Sequence, residues 1–119
     1  MLRKAMEPAD ISVCTDGSGM YTIRGLWTIV REQFDVTTVI WNNRTYNMLN
    51  MELHNVGAAN DSGPKALSMF DLSNPDIDFC TQAQGMVVVA TRVATAEEFK
   101  EQFAYCMTNK GPHLIEAII

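Results

Sequence analysis

A chain of 119 residues with 47% hydrophobic and 19% charged side chains has material for one hydrophobic core. Its net charge is −5 and it carries no basic run, which argues against a nucleic-acid phosphate backbone as partner. No apolar stretch approaches the roughly 20 residues that cross a bilayer, and residues 1–8 lack the apolar core of a signal peptide.

Cys14, Cys80 and Cys106 are odd in number, far apart and set among apolar neighbours. They read as buried thiols of a reducing compartment, so the expected location is the cytoplasm.

The pattern alternates strands and helices. Ile11 to Cys14 is a short strand candidate, followed by the turn-like Asp16-Gly17-Ser18-Gly19. From Met20 the apolar residues fall at Met20, Ile23, Trp27, Val30 and Phe34, the recurrence of one helix face, widened by Leu26 and Ile29. Val36 to Trp41 is rich in β-branched and aromatic types and suits a strand covered on both sides. Asn42 to Thr45 breaks that run, and Tyr46, Leu49, Leu53 and Val56 resume helical spacing. Gly57 to Gly63, small and polar, reads as a mobile loop.

Asn74-Pro75 offers an N-cap and a first-turn proline for a helix ending near Gly85, before a third strand over Met86 to Ala90. Thr95 and Glu98 form a capping-box pattern ahead of Ala96, Phe99, Phe103 and Met107 on one helix face. Gly111-Pro112 ends that helix, and residues 113–119 are the last strand. Four strands separated by helices predict an α/β domain of three layers, α/β/α, with a mainly parallel sheet spanning 1–119.

Ligands of parallel sheets bind outside the carboxyl ends of the strands. Two such ends carry polar clusters here, Asp16-Gly17-Ser18-Gly19 and Asn42-Asn43-Arg44-Thr45, each running into a helix. Glycines let the backbone approach an anion, and the unpaired N–H groups of the following helix point at it. Asp16 beside a phosphate calls for a cation between them. Mg²⁺ suits a carboxylate with neutral oxygens such as the Asn43 amide and the Thr45 carbonyl. Taken alone, each cluster is most often a turn or a helix cap.

The spacing joins the two clusters. Asp16-Gly17, followed after 24 residues by Asn42-Asn43, resembles the thiamine-diphosphate motif, Gly-Asp-Gly followed at a similar interval by Asn-Asn. The stretches from Asp16 to Tyr21, through Leu26-Trp27-Thr28, to Asn43–Tyr46, and the ending Gly111 to Glu116, are similar to acetolactate synthases and benzoylformate decarboxylases. The resemblance covers the chain from about Ala5 onward and identifies it with their C-terminal, diphosphate-binding domain.

By that resemblance Asp16, Asn43 and the Thr45 carbonyl ligate Mg²⁺. Gly17, Ser18 and Gly19 hold the diphosphate of thiamine diphosphate, with Tyr46 and Asn47 close to the phosphates. The implied chemistry is decarboxylation of a 2-keto acid, with or without ligation to a second carbonyl compound, in a homo-oligomer.

Two departures qualify the transfer. Thr15 stands where the motif has its first glycine, which bears on affinity and not on fold. The 15 residues before Asp16 are too few to supply the family's upstream segment, so the resemblance implies a domain truncated on its N-terminal side. The glutamate that activates the aminopyrimidine ring belongs to a separate pyrimidine-binding domain. No catalytic residue is therefore assigned to this chain, and alone it is expected to be inactive. The alternative is a non-catalytic α/β interaction module, or a fragment that no longer binds cofactor.

Other residues carry less. His54 is expected on the surface, and His113 opens the last strand without a partner in the sequence. No histidine or cysteine pair has zinc-ligand spacing. Met20, Met48, Met51 and Met69 read as core filler, Trp27 and Trp41 as core anchors, and Glu97, Glu98, Lys100 and Glu101 as a solvated helix face.

Overall fold

The computed structural model describes residues 10–119. In chain order the elements are β1 (Asp10–Thr15), α1 (Asp16–Thr22), α2 (Gly25–Arg31), β2 (Val36–Asn42), α3 (Asn47–Asn55), α4 (Pro64–Ser68), α5 (Phe79–Gly85), β3 (Val89–Val93), α6 (Ala96–Thr108) and β4 (His113–Ile118). They form two compact units, residues 44–77 and the remainder.

The larger unit holds a four-stranded, all-parallel sheet in the order β1-β2-β4-β3. Side chains alternate between its faces. On one face Val93, Ile115 and Ala117 pack with Cys106 of α6, and Trp41, Phe99 and Phe103 close around them. On the other face lie Cys14 and Ile40, against which Gly19 of α1 and Phe79 of α5 are seated. A β-carbon on Gly19 would meet the Phe79 ring at 3.4 Å, so the small residue sets how closely α1 sits. The expected three-layer α/β/α arrangement is thus present in this unit.

The smaller unit consists of α3, α4 and turns. Within it, Thr45 and Asp71 form a bridge, and Tyr46 N–H and Thr45 Oγ1 both donate to the Phe70 carbonyl, at 2.8 and 3.0 Å. None of the residues of α3 is buried.

Several expectations need correction. The single helix from Met20 to Phe34 is two helices, with Ile23 and Arg24 as the junction. Within them only Leu26 joins Asp16, Gly17 and Gly19 as a buried residue, while Trp27 is 54% exposed with the Arg31 guanidinium 5.2 Å from its ring centroid. Trp27 is therefore a surface residue in cation–π contact and not a core anchor. Met20, Met48, Met51 and Met69 are all exposed rather than core filler. Cys106 is buried as expected, but Cys14 and Cys80 are only partly so; all three are free thiols.

The helix read from Asn74-Pro75 begins instead at Phe79. Residues 73–76 form a bridged turn, and it is Asp78 whose carboxylate accepts the Thr81 N–H at 2.9 Å. The third strand lies three residues further along than Met86 to Ala90. Met86 caps α5, and Val87, at a φ of 65°, turns the chain out of it before the strand starts. The final helix is as read. Thr95 Oγ1 accepts the Glu98 N–H at 3.2 Å, while the Glu98 carboxylate accepts the Ala94 N–H at 2.9 Å.

Candidate cofactor site

β1 and β2 run parallel with Thr15 opposite Trp41. Asp16, the residue after β1, and Asn43, the residue after Asn42 at the end of β2, therefore leave the sheet along the same carboxyl edge. This is the edge where parallel sheets bind ligands. It is built entirely within the larger unit.

Asp16 is 1% exposed, with Oδ1 accepting the Gly17 N–H at 2.9 Å. A carboxylate is held in so buried a place only with donors or a cation around it. Gly17 and Gly19 are buried, whereas Ser18 is exposed. Thr15 N–H donates to Ser18 Oγ at 3.2 Å, Ser18 O–H is directed to the Thr15 carbonyl at 3.2 Å, and the two side-chain oxygens lie 3.1 Å apart. Thr15 therefore engages the Ser18 hydroxyl through both backbone and side chain.

Asn42 is 2% exposed and Asn43 partly buried. Arg44, Thr45, Tyr46 and Asn47 belong to the smaller unit. Arg44 adopts a φ of 60°, sparsely populated for a residue with a β-carbon, and its Nε lies 3.1 Å from Asp76 Oδ1. Tyr46 is the N-cap of α3 and Asn47 its first residue, the helix start expected of them.

A second cluster on the same sheet face escaped sequence reading. Glu116 of β4, fully buried, accepts from Asn42 Nδ2 at 2.7 Å through Oε1 and from Arg92 Nε and Nη2 at 3.1 Å through Oε2. Arg92 Nη2 also lies 3.3 Å from Asp78 Oδ1. Asp78, Cys80 and Glu116 are close enough together to share an ion, but the chemistry opposes it. The guanidinium already supplies positive charge between the two carboxylates. Burial, reinforced by Glu116, pushes the Cys80 thiol up to about 12, so a metal would have to displace its proton to gain a thiolate ligand. These residues lie up to 74 positions apart, and no spacing rule links them.

The histidines stand away from both clusters. His54 is exposed, with Nδ1 2.9 Å from the Asn50 carbonyl. His113 is buried, with Nε2 2.9 Å from the Asn109 carbonyl and its ring edge-on to Tyr105. A cavity of about 270 Å³ on the α6 face is lined by Trp41, Val93, Phe99, Ala117 and neighbours. Its apolar walls do not suit a phosphate.

Residues 4–117 match the family model for the thiamine pyrophosphate enzyme, C-terminal TPP binding domain. The chain belongs to this family. It is 51% identical over 105 residues to IlvX of Mycobacterium tuberculosis, provisionally named an acetolactate synthase large subunit, covering 88% of this chain and 20% of that protein. It is 29% identical over 106 residues to a benzoylformate decarboxylase of Pseudomonas aeruginosa, covering 89% and 19% respectively. Among solved structures, the thiamine diphosphate-dependent 4-hydroxybenzoylformate decarboxylase of Rhodococcus jostii RHA1 superposes with a TM-score of 0.81 at 32% identity, over 94% of this chain and 20% of that one. The chain thus spans about a fifth of the length of the relatives it matches. No helix among the described residues is long and apolar enough to cross a membrane.

Proposed function

We propose that this TPP binding domain holds the diphosphate of thiamine diphosphate through Mg²⁺, as one part of an acetolactate synthase-like enzyme acting on a 2-keto acid. The observation that carries the reading is the parallel pairing of β1 with β2, from which Asp16 and Asn43 emerge at one edge. A carboxylate and an amide oxygen fit a hard divalent cation. The Thr45 carbonyl joins them on the sequence pattern alone. Gly17, Ser18 and Gly19 lie at the start of α1 and are assigned to the diphosphate by the sequence pattern; the Gly17 N–H donates to Asp16 Oδ1 and would have to turn from it to reach a phosphate oxygen. Tyr46 and Asn47 are assigned to the same diphosphate by the sequence pattern.

The cofactor, when bound, supplies the electron sink for decarboxylation. What these residues do is fix its charged end. The reactive ring is left to a pyrimidine-binding domain or subunit, and the assembly is a cytoplasmic homo-oligomer by the same reading.

Thermal melting tests the assignment, because a ligand that binds only the folded state raises Tm. Thiamine diphosphate with Mg²⁺ raises the Tm of the native chain, and Asp16→Ala removes the rise. Absence of a shift in the native chain would remove the reading. One observation favours a non-binding α/β module instead: Thr15 occupies the Ser18 hydroxyl that the diphosphate would use.

A further inference from the structure

The motif's two asparagines are not equivalent in this fold. Asn43 leaves the sheet, whereas Asn42 is its last buried residue on β2. Asn42 is held at two points, by Glu116 of β4 and by Ile119 just after it. Its carbonyl accepts the Ile119 N–H at 3.1 Å, and its side-chain Nδ2 donates to Glu116 Oε1 at 2.7 Å. An ionised carboxylate only accepts hydrogen bonds, so it dictates which end of the Asn42 amide faces it.

Glu116 is itself fixed from the opposite side. Arg92 Nε and Nη2 both reach Oε2, and the same guanidinium lies beside Asp78 at the N-cap of α5. A chain of charge-assisted contacts therefore runs Asn42–Glu116–Arg92–Asp78, tying β2, β4, β3 and α5 together. Such contacts are short and directional, and a fully buried carboxylate leaves little freedom to rearrange.

We infer that Glu116 is a positioning residue for the cofactor edge: through the Asn42 amide it fixes the end of β2, and with it the exit of Asn43 toward the divalent cation. The inference rests on the cofactor reading above and extends it to a residue that touches neither metal nor diphosphate. Groups that orient a metal's ligands alter its affinity without contacting it. Glu116→Gln keeps volume and length, but removes the charge that aligns both Arg92 and Asn42.

The test is a calorimetric titration of Mg²⁺ into the chain at fixed thiamine diphosphate, for the native protein, Glu116→Gln, Asn42→Ala and the double variant. Glu116→Gln weakens Mg²⁺ binding by about tenfold. In the Asn42→Ala background, the same change alters it by less than about twofold, because the route through Asn42 is already cut. In the unliganded chain, the Asn42 side-chain NH₂ resonances shift on Glu116→Gln, a local readout that a general loss of stability does not reproduce. Should Glu116→Gln not fold, Glu116→Asp retains the charge but shortens the reach to Asn42, and is expected to weaken Mg²⁺ binding similarly.

Native-like Mg²⁺ affinity in the folded Glu116 variant, or effects that multiply independently in the double variant, would overturn this inference alone. Absence of Mg²⁺ and cofactor binding by the native chain would overturn the cofactor reading and this inference with it.

Discussion

Thr15 and Ser18 place their side-chain oxygens 3.1 Å apart at the carboxyl end of β1, and the Thr15 N–H also reaches Ser18 Oγ. A residue without a side chain at position 15 would release one of these contacts and leave the serine hydroxyl freer to turn toward an anion. Thr15→Gly is expected to tighten thiamine diphosphate binding by about 3- to 10-fold, the worth of one hydrogen bond of ~1 kcal/mol. Calorimetric titration at saturating Mg²⁺ measures it. Unchanged or weaker binding would show that Ser18 is not restrained by Thr15.

The opposite face gives a stability prediction. Trp41 stacks on Phe99 with ring centroids 5.3 Å apart, and Phe99 stacks in turn on Phe103 at 5.8 Å. Phe99→Ala removes the middle ring of this row and is expected to lower stability by about 3 kcal/mol. Tm falls on the order of 10 °C. Urea unfolding followed by circular dichroism checks it, and a loss below about 1 kcal/mol would mean that the row is loosely packed.

Asp78 makes stability depend on acid pH. The Thr81 N–H and hydroxyl, with a smaller contribution from Arg92, hold its carboxyl below the usual carboxylate range. A depressed carboxylate stabilises the fold above its unfolded pKa, and that contribution is lost as pH falls through the folded value. The native chain therefore loses stability below about pH 4, and Asp78→Asn flattens this part of the curve. Urea midpoints between pH 2 and 6 compare the two. Parallel curves would assign the acid loss to other carboxylates.

Cys80 is predicted to be unreactive. With the thiol pushed up to about 12 by burial and by Glu116, only about one molecule in ten thousand is thiolate at pH 8. Iodoacetamide should label Cys80 at least about 100-fold more slowly in the folded chain than in urea, as read by peptide mass spectrometry. Glu116→Gln should speed the labelling by removing a negative charge and an acceptor. Equal rates in folded and unfolded chains would mean that this corner of the sheet opens freely.

Much of the fold was legible in the sequence because its signals are local. The β-branched run from Val36 and the Thr95–Glu98 capping box each name an element within a few residues. The Asp16-Gly17 and Asn42-Asn43 spacing is readable for a related reason, since two neighbouring strand ends fall at one edge. What failed needed non-local knowledge. Periodicity marked Met20 and Trp27 as apolar but carried no information on whether a layer covers them, and both are exposed. Residue preference pointed to Asn74-Pro75 as the helix start, yet the carboxylate that meets the Thr81 N–H is that of Asp78. The Asn42–Glu116–Arg92 contacts join three strands, and no linear pattern encodes their meeting.

The strand order β1-β2-β4-β3 has a consequence for how the domain is made. β4 lies between two strands that precede it in sequence, so β3 has no path of hydrogen bonds to β2 until residues 113–118 arrive. A nascent chain lacking them holds two disconnected pieces with open edges, a state prone to mispairing. Glu116 sits in that late segment. Asn42 therefore finds its carboxylate only once β4 is made and docked, and loss of residues 116–118 would leave the end of β2 without its side-chain acceptor.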